Sequence, residues 1–425
     1  MTTIVAPKGT YDLVPEQTFK WRSLESQIHR IFREYGYGEI RTPMFEHTEL
    51  FQRGIGETTD IVEKEMFVFS DRGGRSLALR PEGTASVVRA YLEHNLAGAG
   101  GVGKYYYYGP MFRCEAPQAG RFRQFSQYGA EVLGSLDPRV DAEIIILAVN
   151  FYRRLGIKDL DVNINSIGCP NCRPVYRSRL IGHLKPRAQS LCPNCRRRLE
   201  RNPLRLLDCK LPGCQEAAAD IPLITETLCG ECGRHFQLLL KYLDSLAAGY
   251  RLNPKLVRGF DYYTKTVFEI LAGDLGAQNA LCGGGRYDGL VEECGGNPTP
   301  GIGFAAGMER LLMVLEGRGL ISGAAKSSPE LYIAPLGERA QLEAFPLVIK
   351  LREAGWVVET DYLGRSLKAQ LKSADKMGAP LTGVLGEDEL AKGQILMRKM
   401  ATSEQEFIKL EQIPGYLEQV LGRPR

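Results

Sequence analysis

The sequence predicts an α+β fold carrying a cysteine-rich insertion, followed by a separate C-terminal α/β domain. Three observations carry this. Residues 1–165 and 251–325 mix helical periodicity with aromatic, strand-like runs. Between them, residues 166–250 hold eight of the eleven cysteines and many arginines. From 326 to 425, strand patterns alternate with helical ones, which implies a small parallel or mixed sheet.

The first helix runs through "EQTFKWRSLESQIHRIFREYG", opening just after Pro15 and stopping at Gly36. The run "KYYYYGPMF" reads as a strand that ends on Arg113, and "RFRQFSQYGAEV" resumes after a Pro/Gly-bearing loop. Strand alternation puts Arg123, Phe125 and Gln127 on one face, with Glu131 joining them if the strand runs on. Such a hairpin can hold a cation over a phosphate-bearing ligand. By itself it equally fits an amphipathic hairpin with one solvated face. After 251 come the glycine cluster "CGGGRYDG" and the segment "PTPGIGFAAGMERLLMVLE". "GLISGAAKSSPE" reads as a linker. Beyond it "LYIAPLG", "WVVETDYL" and "PLTGVLG" are strands separated by helices.

Lys and Arg number 54 against 50 Asp and Glu, so any polyanion-binding surface must be local. The start "MTTIVAPKGTYDL" lacks a basic stretch followed by an apolar one, and "IIILAV" is too short to cross a bilayer. A cytoplasmic protein without membrane contact is expected. In that reducing setting, clustered thiols point to metal rather than disulfides.

Eight cysteines form the pairs Cys169/Cys172, Cys192/Cys195, Cys209/Cys214 and Cys229/Cys232, all at spacings that suit tetrahedral zinc. Up to two closed, structural sites are expected; reduced thiols that merely pack are the alternative. Spacing permits a sequential or a nested joining of pairs. An insertion leaves and re-enters its host at neighbouring points, which favours the nested one: Cys169/Cys172 with Cys229/Cys232, and Cys192/Cys195 with Cys209/Cys214. His235 is a less favoured substitute ligand, and Cys282 and Cys294 read as core. From Cys169 to Cys214 there are eleven Lys or Arg against two Asp or Glu, a balance suited to a phosphate backbone or to a solvated basic face.

Taken together, several segments resemble the signature motifs of class II aminoacyl-tRNA synthetases, and the set is similar to the histidyl-tRNA synthetase family. "GYGEIRTPMFEHTELF" resembles the first motif, with its proline at Pro43; "FRCEAPQAGRFRQF" the second; "GIGFAAGMERLL" the third. "LVRGFDYYTKTVFEI" and "ALCGGGRYDGL" resemble the segments that single out histidine, and "LRPEGTA" a substrate-contact segment.

The resemblance implies an antiparallel catalytic sheet flanked by helices, an insertion over the tRNA acceptor arm, a C-terminal anticodon-binding domain and a homodimer. It implies histidine–tRNA ligase activity on L-histidine, ATP with Mg2+, and tRNA(His). Arg113 and Arg258 would act on the α-phosphate and substrate carboxylate, because guanidinium groups stay charged and bind phosphate oxygens in a fork. Arg310 would hold the γ-phosphate, Glu115 and Arg121 the nucleotide, and Phe125 would stack on adenine.

Glu82, Thr84 and Gln127 would hold the α-amino group. Glu131 and Tyr263 would contact the imidazole, with Tyr287 near it. Tyr262 would line the pocket or pack in the core. If that stretch is a strand, Tyr262 and Tyr263 face opposite ways and only one points fully inward. The glycines of "GGGRYDG" would let backbone approach the amino acid closely.

The second-motif loop departs from the family pattern, with Cys114, Ala116 and Ala119 where a tyrosine and cations are common. Gln118 and Arg121 remain to meet the tRNA end. Arg365 and Lys368 are candidates for tRNA contact in the C-terminal domain. The alternative function is a non-catalytic, histidine-sensing regulatory subunit of ATP phosphoribosyltransferase. Relatives of that kind lose parts of the ATP motifs and the C-terminal domain, whereas Arg113, Arg258 and Arg310 are present here.

Overall fold

The computed structural model describes residues 3–56, 59, 61–96, 101–118, 120–273, 280–321 and 328–422. Ala119 and the middle of the expected linker, 322–327, lie outside them. The chain divides into two compact units, Met1–Ser322 and Gly323–Arg425.

In the first unit the strands are β1 (Gly38–Glu39), β2 (Phe45–His47), β3 (Val68–Ser70), β4 (Ser76–Leu79), β5 (Gly103–Phe112) and β6 (Gln124–Leu133). They continue with β7 (Leu160–Ser166), β8 (Arg251–Leu252), β9 (Thr264–Ala272), β10 (Ala280–Arg286) and β11 (Gly301–Gly307). Eight of them form one sheet in the order β1-β5-β6-β11-β10-β9-β7-β8. The six inner strands pair antiparallel, and only the short edge strands β1 and β8 pair parallel.

One face of this sheet is closed by helices. Trp21, Leu24, Ile28, Ile31 and Phe32 recur at helical spacing on Pro15–Glu34 and are buried. They share a core with Ile144, Leu147 and Phe151 of helix Pro138–Arg154 and with Phe236, Leu239 and Leu243 of helix Gly230–Ser245. Asp137 caps Pro138–Arg154 by accepting the Arg139 N–H, with Pro138 preset for the first turn. The helices thus cover one side and leave the other free for the cavity.

A buried ion pair fixes β10 to this layer. Arg286 grips Asp141 with Nε and Nη2, and His235 meets Asp141 Oδ1 at 3.1 Å. Burial pushes the Asp141 carboxyl up, but His235 and Arg286 outweigh it and hold it below the usual range. His235 is therefore engaged with a carboxylate and belongs to neither group of clustered thiols, so it is not a substitute metal ligand.

The expected insertion is built of short helices and 3-10 turns around Tyr176, Leu180, Leu184, Leu191, Leu199 and Leu206. Its last helix, Gly230–Ser245, packs into the host core instead. In the second unit β12 (Leu331–Pro335), β13 (Val358–Thr360), β14 (Leu381–Leu385), β15 (Gln394–Lys399) and β16 (Gln405–Lys409) form a mixed sheet, ordered β13-β12-β14-β15-β16. β12 is parallel to both neighbours, as the strand–helix alternation requires.

Candidate active site

The open side of the large sheet holds a cavity of about 390 Å³, within the size of small-molecule sites. Alternation along β6 aims Phe125 and Gln127 into it. Arg113 follows β5; its Nε donates to the Pro81 carbonyl at 2.9 Å and its guanidinium lies 5.3 Å from the Phe125 ring centre. Arg121 donates to Glu115 at 2.9 Å. Gln118 and Arg121 close the second-motif loop by reciprocal backbone bonds, which leaves Gln118 exposed at the tip, outside the cavity wall.

Arg310, in the first turn of helix Met308–Gly317, reaches the carbonyls of Gly120 and Ala280, both at 3.4 Å. Burial and the neighbouring Arg121 cation depress its pKa, the signature of a cation held in a partly enclosed, positive site. Arg258 approaches from across the cavity and donates to Glu269 at 2.8 Å. Its Nε, and Oε1 of Gln127, are buried without a hydrogen-bond partner among the described residues. Gly283, paired in register with Glu269, lies beneath Arg258. A Cβ there would fall 2.3 Å from Nη2 of Arg258, so only glycine admits the guanidinium in this position.

At the closed end, Glu82 is buried and caps helix Thr84–Glu93 by accepting the N–H groups of Thr84 and Ala85 at 2.7 and 2.8 Å. Burial nonetheless raises its pKa. Thr84 donates to Glu131 at 2.7 Å, and Tyr287 donates to the other Glu131 oxygen. Burial pushes the Glu131 carboxyl up to about 8, against the lowering effect of these two hydroxyls. A Cβ on Gly303 would stand 1.7 Å from Glu131 Oε2, so that strand must carry glycine.

The cavity thus brings together Glu82, Thr84, Arg113, Glu115, Arg121, Phe125, Gln127, Arg258, Tyr262, Tyr263 and Arg310. Glu131 and Tyr287 sit behind its wall. The strand condition set on Tyr262 and Tyr263 does not hold: they lie in the turn before β9, where successive side chains need not diverge. Both are buried and line the cavity, with ring centres 4.6 Å apart. Cys282 is buried but is also a wall residue. Sequence reasoning missed Glu65, Glu269, and the insertion residues Arg198, Arg205 and Asp208, all in the wall. Glu269 carried a signal, being a carboxylate inside the apolar strand "TVFEIL".

All eleven cysteines are free thiols. Eight gather into two groups, Cys169/Cys172/Cys229/Cys232 and Cys192/Cys195/Cys209/Cys214, each with its sulfur atoms within 4.8 Å of one another. The nested pairing is the one that forms. Tetrahedral zinc–thiolate bonding needs sulfurs about 3.8 Å apart, and Cys169 and Cys172 stand at 3.6 Å. Backbone N–H groups of Cys192 and Cys229 point at the sulfurs of Cys214 and Cys172 at 3.3 and 3.1 Å. Such donors stabilise thiolates. The donor set fits zinc.

The carbonyls of Pro43 and Thr42 accept from Arg80. Met44, Phe45, Val68 and Phe69 are exposed apolar side chains on and beside β2 and β3. In the second unit Arg365 is paired with Asp361 and Ser373, and Lys368 is exposed.

This antiparallel sheet, with arginines gathered on its open face beside buried carboxylates, is the fold of a class II aminoacyl-tRNA synthetase, as the matches to a family model and a solved structure show. The histidyl-tRNA synthetase family model matches residues 9–171 and 209–311, and an anticodon-binding domain model matches 330–420. The chain belongs to the histidyl-tRNA synthetase family.

A histidine–tRNA ligase of Pelotomaculum thermopropionicum is 54% identical over 98% of both chains. One of Desulforamulus reducens is 52% identical over 96% of this chain and 97% of its own. The crystal structure of apo histidyl-tRNA synthetase from S. aureus superposes with a TM-score of 0.81 at 39% identity, covering 98% of this chain and 100% of that one. A Bacillus halodurans structure described as an ATP phosphoribosyltransferase regulatory subunit/histidyl-tRNA synthetase shares the fold, with a TM-score of 0.61, 24% identity and 88% and 97% coverage.

Proposed function

We propose that this chain is a cytoplasmic histidine–tRNA ligase that activates L-histidine with ATP and transfers it to the 3′-terminal adenosine of tRNA(His). One observation carries this: Arg113, Arg121, Arg258 and Arg310 converge on the same cavity as Glu82 and Thr84. Joining a carboxylate to the α-phosphate brings two anions together and builds charge in the transition state. Fixed guanidinium groups in a partly buried site are suited to both tasks.

Arg113 and Arg258 flank the reacting carboxylate and α-phosphate from opposite walls; Arg310 takes the γ-phosphate, and Phe125 the adenine. Arg121 and Glu115 hold the nucleotide. ATP enters with Mg2+, for which Glu65 and Glu115 offer carboxylate oxygens in the same wall. Glu82, Thr84 and Gln127 receive the α-amino group, and the unpartnered Gln127 Oε1 supports this.

The imidazole sits against Tyr262 and Tyr263 with Glu131 and Tyr287 behind. Glu131 uses two of its acceptor sites on Thr84 and Tyr287 and keeps lone pairs for a ring N–H. A site built on buried polar groups rejects substrates that leave them unpaired.

Zinc in the two thiol groups, a homodimer through the apolar surface at Met44, Phe45, Val68 and Phe69, and tRNA contact by Gln118, Arg121 and the basic insertion complete the reading. The whole set of ATP-motif arginines and the matched anticodon-binding domain favour the ligase over a histidine-sensing regulatory subunit. No helix among the described residues is long and apolar enough to cross a membrane. Aminoacylation of tRNA(His) with labelled histidine is the test. Charging specific to histidine is expected; purified, folded protein that binds histidine but charges no tRNA would return the regulatory reading.

A further inference from the structure

Between the two halves of the second thiol group runs the segment 196–208, the end of helix Pro193–Arg201 and a 3-10 turn at Pro203–Asp208. Only Leu199, Pro203 and Leu206 in it are buried. Such a segment has little apolar surface of its own with which to hold a shape. The residues matched by the family model skip 172–208.

This segment nonetheless grips the active site. Asn202 donates to Asp261 at 3.0 Å, and Arg205 donates to the Gly259 carbonyl at 2.8 Å. Arg198 in turn donates to the Arg205 carbonyl at 3.3 Å. Gly259 and Asp261 lie inside the stretch 258–263 that carries Arg258, Tyr262 and Tyr263. From 253 to 263 the chain makes only turns and bends, and the ladder of β9 begins at Thr264. From the other side Asp261 is met by the Ile55 carbonyl, which accepts its N–H at 3.2 Å. The stretch is therefore held between the helix Thr48–Ile55 and the loop that the thiol group closes.

We propose that Zn2+ bound by Cys192, Cys195, Cys209 and Cys214 acts as a positioning device for the histidine site. It fixes the loop 196–208, and the loop, through Asn202 and Arg205, aims Arg258, Tyr262 and Tyr263 at the substrate. Closing four thiolates on one ion sets both ends of the loop at once, because a tetrahedral site allows little freedom in ligand position. Asn202 and Arg205 are positioning residues in this scheme. Asn202 lies outside the cavity that holds the arginines, so its effect on substrate must pass through the 258–263 stretch. The first thiol group, Cys169/Cys172/Cys229/Cys232, joins the roots of the insertion and makes no contact with Gly259 or Asp261; its following helix touches the loop through Arg177, which donates to the Glu200 carbonyl at 2.8 Å. It serves as an internal control.

The inference rests on the ligase reading. The test uses the full chain, with zinc measured by atomic emission, and KM for histidine and for ATP read from pyrophosphate exchange. The wild type is expected to hold two zinc ions. Asn202→Ala is expected to keep both ions and its melting temperature, raise the histidine KM roughly tenfold as misplacement of substrate-facing groups does, and leave the ATP KM unchanged. Arg205 also lines the cavity, so Arg205→Ala is expected to raise the histidine KM at least as far, and Arg205→Lys to restore most of the loss.

The double variant Cys209→Ser/Cys214→Ser is expected to lose one zinc and to show the same histidine-only defect. Cys229→Ser/Cys232→Ser is expected to lose one zinc without that split. If the thiol variants fail to fold, Asn202→Ala still decides, because Asn202 lies outside the cavity. Wild-type protein that exchanges pyrophosphate but binds no zinc, or an Asn202→Ala chain with unchanged histidine KM, overturns the inference alone. A wild type without histidine-dependent exchange overturns the ligase reading and the inference with it.

Discussion

Around the cavity, charged groups are braced by sheet and helix backbone. Arg113 donates to Pro81, Arg310 to Gly120 and Ala280, and Glu82 accepts two helix N–H groups. The insertion has no sheet among its described residues, and its cations ride on short helices between thiol groups. In the first region geometry comes from long-range strand pairing, which many residues share. In the second it depends on a few side-chain sulfurs. Placement in the sheet should thus be sensitive to backbone clearance, and placement in the insertion to metal.

The contrast sets an order of expected effects. Arg258→Ala should be the largest, lowering histidine-dependent exchange roughly 10²–10³-fold, since it removes a transition-state donor; steady-state kinetics at saturating ATP would read it. Gly283→Ala comes next. Its Cβ would have to displace the Arg258 guanidinium, so a loss of roughly tenfold or more is expected in kcat/KM, with the fold intact by circular dichroism. An unchanged rate would break the claim that backbone clearance seats that arginine.

Glu131→Gln probes electrostatics rather than position. The folded carboxyl titrates at about 8 instead of the usual 4.5. Its stabilising contribution is thus complete below about pH 4.5 and is lost as pH rises toward 8, with a slope of at most about 1.4 kcal/mol per pH unit. Thermal melts between pH 5 and 8 without ligand should show wild-type stability falling faster than that of the variant. Gln118→Ala is expected to be the smallest. It should slow charging a few-fold and leave pyrophosphate exchange untouched, because Gln118 stands outside the cavity.

Much of the cavity was legible in the sequence because strands impose a period. Alternation groups Arg123, Phe125 and Gln127; the last two line the wall, whereas Arg123 precedes β6 and donates to the Glu115 carbonyl instead. The cysteine pairing was legible from topology, since an insertion must close on itself. Tyr262 and Tyr263 resisted the same logic because they occupy a turn, where no period applies. The grip of Asn202 and Arg205 on 258–263 left no trace. It joins side chains to a carboxylate and a carbonyl more than fifty residues away, in a stretch with no periodic pattern. The seclusion of Glu131 behind Thr84 was likewise invisible, because strand patterning gives the face of a residue but not its depth.

The most direct test of the central claim is exchange of labelled pyrophosphate into ATP by the wild-type chain, with each amino acid offered in turn. Exchange with histidine alone is predicted, and it should vanish in Arg258→Ala. No exchange with histidine by folded protein, or equal exchange with other amino acids, would contradict the account.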